Sequence, residues 1–346
     1  MANDAVIGAV GEPMVRLRDL SVTFLGGRAP VHAVSGVSLE VQRGEVVALI
    51  GESGSGKSVT LRTLLRLHTE RRTRIGGEVH VAGRDVLAMP ASALPDFRGK
   101  VAAMIFQEPL LALDPVYSVG AQIVESIQRH ESVPAAQARA RALALFERVR
   151  IPSPERRLAA YPHEMSGGMR QRAMIALALA CKPQLLLADE PTTALDATVQ
   201  IQILLLLREL QRDLGLSVIF VTHDIGAAVE VADRIAVMYA GRIVEEGTAR
   251  QLIRAPRHPY TIALLKSRAH GALARGTRLE TIAGAPPDLS ALPPGCAFAE
   301  RCPLAIDACR AAVPPAVELA AGHRARCIRT EIAATIAPVQ VSMPMA

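Results

Sequence analysis

The pattern of apolar and polar positions changes period several times along the chain. From Val15 to Ile50, short β-branched runs alternate with turn signals. Val15–Phe24, Val31–Val41 and Val46–Ile50 predict strands, with Gly26-Gly27 and Arg43-Gly44 as turns between them. A helix is expected from Lys57 to about Leu67, followed by strands at Glu78–Val81 and Val101–Phe106. Residues 115–182 then switch to helical spacing. Val119–Arg129 and Ala135–Val149 carry it, and no strand candidate separates them. Leu185–Ala188 is apolar throughout and bounded by Pro183 and Asp189, as a buried parallel strand would be. Thr198–Leu214 predicts an amphipathic helix, Ser217–Thr222 another buried strand, and Arg234–Val244 a hairpin around Ala240-Gly241. Strand–helix–strand alternation of this kind predicts an α/β fold with a parallel sheet, here with an antiparallel β region at its N-terminal end.

The texture suggests four stretches. Residues 1–13 have no period and are expected to be flexible. Residues 14–265 would form the main domain, with a helical subdomain inserted at about 115–182. Beyond Ala249, Pro, Ala and Arg dominate, and Pro286-Pro287, Pro293-Pro294 and Pro314-Pro315 interrupt any long element. Residues 266–330 therefore read as a small, loop-rich, cysteine-containing appendage with a regulatory or metal-binding role, and 331–346 as a flexible tail. There is no internal repeat.

Composition narrows the class. Of 346 residues half are hydrophobic, but there are only six Phe, four Tyr and no Trp. Leu, Ile, Val and Ala must build the core. No run reaches the roughly 18 apolar residues of a membrane span; Ala173–Cys181 comes nearest and stops at Lys182-Pro183. Asp4 and Glu12 replace the basic start of a secretory signal, so a soluble protein that stays where it is made is expected. The net charge of +6 suits nucleic acid, phosphates or an anionic membrane alike. Many of the arginines lie at 139–157 and in the tail, where solvated faces explain them, and no nucleic-acid partner is inferred.

Three motifs carry chemistry. Gly51-Glu52-Ser53-Gly54-Ser55-Gly56-Lys57-Ser58 fits G-x-x-x-x-G-K-[ST] and lies between a buried strand and a helix. Its glycines let backbone N–H groups turn onto a phosphate, and the helix aims its positive end at the same anion. Lys57 would reach the β- and γ-phosphates of ATP, and the Ser58 hydroxyl would ligate Mg²⁺. Leu185–Glu190 supplies the second half. Asp189, at the C-terminal end of a buried strand, is placed to hold Mg²⁺, and Glu190 to polarise the attacking water. Taken alone, such an ending often only caps the next helix. Ser166-Gly167-Gly168-Met169 opens an apolar helix. It reads either as an ordinary capped start or as a second anion site, able to clamp a partner's nucleotide.

With these residues the sequence resembles the ATP-binding cassette (ABC) family over residues 15–265, which implies an ABC-type P-loop ATPase core. Phe24 matches the aromatic that stacks on adenine, and Gly51–Val59 the ATP-binding loop. Gln107 matches the Q-loop glutamine, implied to touch Mg²⁺. Ser166, Gly167, Gly168 and Met169 match the signature, with Met165 and Met169 replacing Leu and Gln. Thr193-Ala194-Leu195-Asp196 matches the D-loop, and His223 the switch histidine. A finer resemblance, to the dipeptide/oligopeptide/nickel importers, rests on Ile105–Pro109 with Leu113-Asp114-Pro115, Met165–Arg172, His258-Pro259-Tyr260-Thr261 and Gly295–Phe298 with Arg301-Cys302-Pro303.

The resemblance implies an ATPase in which Glu190, His223 and Gln107 are catalytic. Two cassettes would stack head to tail around shared ATP, the second being a paralogue or another copy. Two membrane permease subunits and an extracytoplasmic solute-binding protein would complete the importer, with this chain peripheral on the cytoplasmic face of the inner membrane. Peptides lead as cargo, then nickel, then glycosides. The alternative, an ABC-type ATPase of DNA maintenance or translation, calls for a long coiled coil, a zinc-bearing insertion or a second cassette. No heptads lie between Gln107 and Ser166.

Four of the five cysteines, Cys296, Cys302, Cys309 and Cys327, crowd into the appendage, while Cys181 ends an apolar helix. In a reducing compartment, four gathered thiolates suggest a metal rather than disulfides. Zinc accepts four cysteines but usually takes C-x₂₋₄-C pairs, which are absent here. The resemblance implies a [4Fe–4S] cluster, with zinc or unmetallated thiols as the alternatives.

Overall fold

The computed structural model describes residues 11–193, 195–267 and 282–335. The expectations for residues 1–10, Ala194, 268–281 and 336–346 lie outside that set.

Among the described residues, twelve strands form two sheets. In chain order they are β1 Val15–Phe24, β2 Val31–Val41, β3 Val46–Ile50, β4 Thr73–Val81, β5 Arg84–Asp85, β6 Ala102–Ile105, β7 Leu185–Asp189, β8 Ser217–Thr222, β9 Arg234–Tyr239, β10 Arg242–Thr248, β11 Val317–Ala320 and β12 His323–Ala325. The antiparallel sheet has the order β2-β1-β4-β5, and the larger one β11-β12-β10-β9-β3-β8-β7-β6. Neighbours from β9 through β6 run parallel. The helices are α1 Lys57–Leu64, α2 Leu94–Lys100, α3 Pro109–Ala112, α4 Val119–His130, α5 Ala135–Arg148, α6 Pro154–Arg157, α7 Gly167–Leu179, α8 Ala197–Leu214, α9 Ile225–Val231, α10 Ala249–Arg254, α11 Pro259–Ser267, α12 Asp307–Ala311 and α13 Thr330–Ala333.

The central strands are apolar at every position because the sheet is covered on both faces. Val46, Ala48 and Ile50 point into a core shared with α4, α5, α7 and α8. Val47 and Leu49, on the other face, join β1, β2, β4 and α1 in a second core.

Differences from the expected elements have local causes. The first helix stops at Leu64 rather than Leu67, since Leu65 turns its N–H to Arg62 and Arg66 takes a positive φ of 49°. Strand β4 begins five residues before the expected Glu78. Gly76-Gly77 interrupts the alternation but accommodates a register slip against β1: at φ +90° a Cβ on Gly77 would sit 2.5 Å from the Arg18 carbonyl oxygen. The hairpin forms as expected, with Ala240 and Gly241 both at positive φ, the geometry that matches strand twist. The short helices α9, α10 and α11 have no periodic signal long enough to read.

The segment after residue 282 is built into the molecule. Strand β12 pairs with β10, extending the large sheet. Phe298 is buried in the same core as Tyr239 and Tyr260. The buried Glu245 carboxylate accepts from the backbone N–H groups of Arg257 and His258, at 2.7 and 2.9 Å. It also lies 2.8 Å from Nε2 of buried His323. Burial of His258 pushes its pKa down to about 4, so it stays neutral.

Candidate functional site

Register assembles the site. Ile50 pairs with Thr222, Val221 with Asp189, and Ala188 with Ile105. The residues following each of these strands therefore emerge along one edge of the parallel sheet: Gly51, His223, Glu190 and the Phe106-Gln107 segment. Open α/β sheets hold ligands at this edge.

The loop Gly51–Gly56 needs its glycines. At Gly56, φ is +99° and a Cβ would sit 2.5 Å from the Ala33 carbonyl oxygen; at Gly51 a Cβ would collide with the Met238 carbonyl. Ser53 and Gly54 form the exposed tip, while Ser55 is buried and accepts from Gly241 N–H through its carbonyl at 3.0 Å. Lys57, 4% exposed, turns its ammonium back onto the loop, donating to the carbonyls of Gly51 and Glu52, both at 2.8 Å. Burial pushes its pKa down, against the pull of Glu190 and Asp189. Val59 packs its side chain on the second core and serves the helix by accepting from Thr63.

Ser58 Oγ donates to Asp189 Oδ1 at 2.6 Å. Asp189 is fully buried, and burial raises its pKa. Among the described residues Oδ2 has no hydrogen-bond donor, and Arg62 approaches it only to 3.6 Å. A hydroxyl beside an under-satisfied buried carboxylate is an oxygen donor set that fits Mg²⁺.

Glu190 stands next to this pair. Its Oε2 accepts from Gln107 Nε2 at 3.2 Å and Thr193 Oγ1 at 2.9 Å, and lies 3.7 Å from His223 Nδ1. Its backbone is held at a positive φ of 46°, a strained conformation for a non-glycine residue, and its N–H donates to Val221. Gln107, Glu190 and His223 are thus brought together, with Thr193 as a contact not anticipated from sequence.

Other expected residues stand apart from this cluster. Phe24, half-buried at the end of β1, meets His68 edge-on with ring centroids 5.6 Å apart and packs on the second core. Ser166 caps α7, accepting from Met169 N–H at 3.3 Å. Gly167 and Gly168 face Leu195 and Val199, and a Cβ on Gly168 would come within 2.9 Å of Val199. Asp196 caps α8 by accepting from Val199 N–H at 3.0 Å.

Cys296, Cys302, Cys309 and Cys327 line one small cavity with His258 and Phe298. Burial raises the thiol pKa values of Cys296, Cys302 and Cys327, that of Cys327 to about 11. Among the described residues no group of three or more His, Cys, Asp and Glu side chains is placed to hold a metal ion. The expected iron–sulfur cluster, and zinc with it, therefore finds no ready-formed ligand set here. The four thiols share one cavity wall.

Two residues missed from sequence reach the phosphate loop. Tyr260 Oη accepts from Glu52 N–H at 2.8 Å, and Arg301 grips the Glu52 carboxylate. Both lie in stretches noted from resemblance, but nothing local ties them to a loop more than 200 positions away.

Comparison with known proteins shows the family. Residues 34–193 match the model of the ABC transporter family, and residues 244–309 that of the oligopeptide/dipeptide transporter C-terminal region. A probable peptide ABC transporter ATP-binding protein of Sinorhizobium fredii is 48% identical over 318 residues, covering 92% of this chain and 95% of that protein. A putative peptide import ATP-binding protein of Brucella melitensis is 47% identical over 335 residues, covering 93% and 99%. An oligopeptide transport ATP-binding protein of Mycobacterium tuberculosis is 49% identical over 321 residues; the chain spans about half of that protein, 52%. Among solved structures, a dimeric ATP-binding cassette in a post-hydrolysis state with ADP and phosphate superposes with a TM-score of 0.62 at 30% identity, covering 68% of this chain and 99% of that one.

Proposed function

The chain belongs to the oligopeptide/dipeptide branch of the ABC transporter family, and from that premise we propose how it couples ATP hydrolysis to the import of peptides. It is the ATP-binding and hydrolysing subunit of the importer, and the reading outside transport has no support among its relatives. The observation that carries the mechanism is the Glu190 carboxylate, held between Gln107, Thr193 and His223 beside the Lys57 and Ser58–Asp189 cluster.

In this reading Lys57 leaves the loop carbonyls for the β- and γ-phosphates. Backbone N–H groups of Gly54, Ser55 and Gly56 cradle the same charge, and Phe24 stacks on adenine. Ser58, Asp189 and Gln107 would hold Mg²⁺, which would supply charge neutralisation at the phosphates. Glu190 accepts the proton of the attacking water, worth about 10²–10⁴ in rate for a positioned base. His223 orients that water and the γ-phosphate. The helix start at Ser166–Met169 and the Asp196 turn face a second ATPase subunit's nucleotide, closing a two-site dimer that γ-phosphate holds together.

The membrane permease subunits that this family implies dock, in our reading, at the cleft lined by Arg98, Met104, Phe106, Ser126, His130 and Met174. Phe106, beside Gln107, is 41% exposed, and Val116 and Tyr117 are exposed further along. No helix among the described residues is long and apolar enough to cross a membrane, which suits a peripheral subunit on the cytoplasmic face. A paralogous second ATPase and an extracytoplasmic binding protein complete the proposal. Purified alone, the chain should hydrolyse ATP weakly, with a specific activity that rises with its concentration. Co-purified permeases and second ATPase should raise the rate, and peptide should raise it again. Full activity in a dilute monomer would refute the shared site.

The [4Fe–4S] cluster remains a separate proposal, supported only by four thiols on one cavity wall and by donor chemistry. Protein purified without oxygen should absorb near 400 nm and hold about four irons. One zinc, or no metal, rejects it.

A further inference from the structure

The phosphate loop is held from outside its own motif. Glu52, the second residue of the loop, is fixed at three points. Its N–H donates to Tyr260 Oη at 2.8 Å, and its carbonyl accepts from Lys57 Nζ at 2.8 Å. Its carboxylate accepts a parallel pair of hydrogen bonds from Arg301, Nη1 to Oε2 at 2.7 Å and Nη2 to Oε1 at 3.0 Å.

Arg301 is itself immobilised. Nε donates to the Ala283 carbonyl at 2.9 Å, Nη1 also to Tyr239 Oη at 3.1 Å, and Nη2 to the Ile282 carbonyl at 3.3 Å. Those bonds use all five guanidinium N–H groups. The side chain is 5% exposed, and its central carbon lies 5.7 and 5.8 Å from the ring centres of Tyr239 and Phe298. Only a planar fork satisfies this arrangement; a lysine would not.

The contact does two things for an anionic ligand. It anchors the loop backbone through Glu52, whose carbonyl is one of the two that Lys57 holds. It also neutralises a carboxylate carried by the second residue of the phosphate loop. Freed, that charge would repel ATP.

We propose that Arg301 is a positioning residue of the ATP site, which makes the C-terminal segment a working part of nucleotide binding. The inference rests on the ATPase reading above, and the test separates the two.

The measurement is the Kd of the full-length chain for Mg²⁺ and a fluorescent ATP analogue. Wild type must bind, and Lys57→Ala must bind far more weakly; failure of this pair strikes the functional reading, not Arg301. Arg301→Gln should raise Kd by about tenfold or more, the value of a lost charge-assisted pair. In the assembled importer it should raise KM for ATP while leaving kcat within about twofold. Glu52→Gln removes the liberated charge, so Glu52→Gln/Arg301→Gln should regain most of the lost affinity. A purely structural arginine would give no such rescue. Unchanged Kd in Arg301→Gln, or a double variant as weak as Arg301→Gln, overturns the proposal. If Arg301→Gln fails to fold by circular dichroism, Arg301→Lys replaces it. Its Kd should lie above wild type and fall when Glu52→Gln is added; no fall overturns the proposal equally.

Discussion

The phosphate-binding edge and the cysteine-bearing segment after residue 282 both hold polar groups out of water, by different means. At the edge, partners are near in sequence or aligned by strand register. Lys57 bonds to Gly51, Glu52 and Ser55, and Asp189 ends, with Glu190 just after it, a strand whose other residues are apolar on both faces. In the C-terminal segment the contacts are long-range. Glu245 meets His323, Arg301 meets Glu52, and Cys296 N–H donates to the Cys309 carbonyl at 2.7 Å. The first kind of site is set out by a short motif and by the register of neighbouring strands. The second exists only once the large sheet has formed, so it can come apart while that sheet stays folded.

The strongest way to sharpen this comparison is Glu190→Gln. We expect turnover to fall at least about 10²-fold, with ATP still bound and the dimer trapped. The C-terminal segment should be untouched, as judged by an unchanged melting temperature. Wild-type turnover in the assembled importer would remove Glu190 from the base role.

Glu245→Ala probes the other side. It strands buried His323 and two backbone N–H groups, and breaking such a buried pair costs about 3 kcal/mol or more. Limited proteolysis should then cut the C-terminal segment well before the strands β3 and β8. Simultaneous loss of both regions at one midpoint would mean that the segment and the cassette unfold as a single unit, and the contrast would dissolve.

Phe24→Ala should have the smallest effect. Stacking on adenine is worth about 1 kcal/mol, a several-fold rise in Kd. Phe24 also packs on His68 and the second core, so the melting temperature should drop slightly as well. A lower melting temperature with unchanged nucleotide affinity would assign Phe24 to packing alone.

Much of the fold is legible in the residue pattern. Val46–Ile50, Leu185–Ala188 and Ser217–Thr222 are apolar at successive positions, a pattern that survives any tertiary context with two covered faces. The Gly51–Ser58 motif announces its turn and helix because glycine and lysine are required there for local reasons. The start of β4 is hidden, because Gly76-Gly77 serves a bulge against β1 that no local pattern reveals. The C-terminal segment reads as loops, since β11 and β12 are short and gain their hydrogen bonds only from β10 and each other.

The sequence by itself determined the phosphate loop, the order of the central strands along the chain and the identity of the acidic pair Asp189-Glu190. Those depend on residue type and spacing over a few positions. The tertiary structure alone decided that Gln107, Thr193 and His223 converge on Glu190, that four thiols share one cavity, and that Arg301 reaches Glu52 across the molecule. Each of these joins residues far apart in the chain, and their meeting is fixed by sheet register and by burial, which no local pattern encodes.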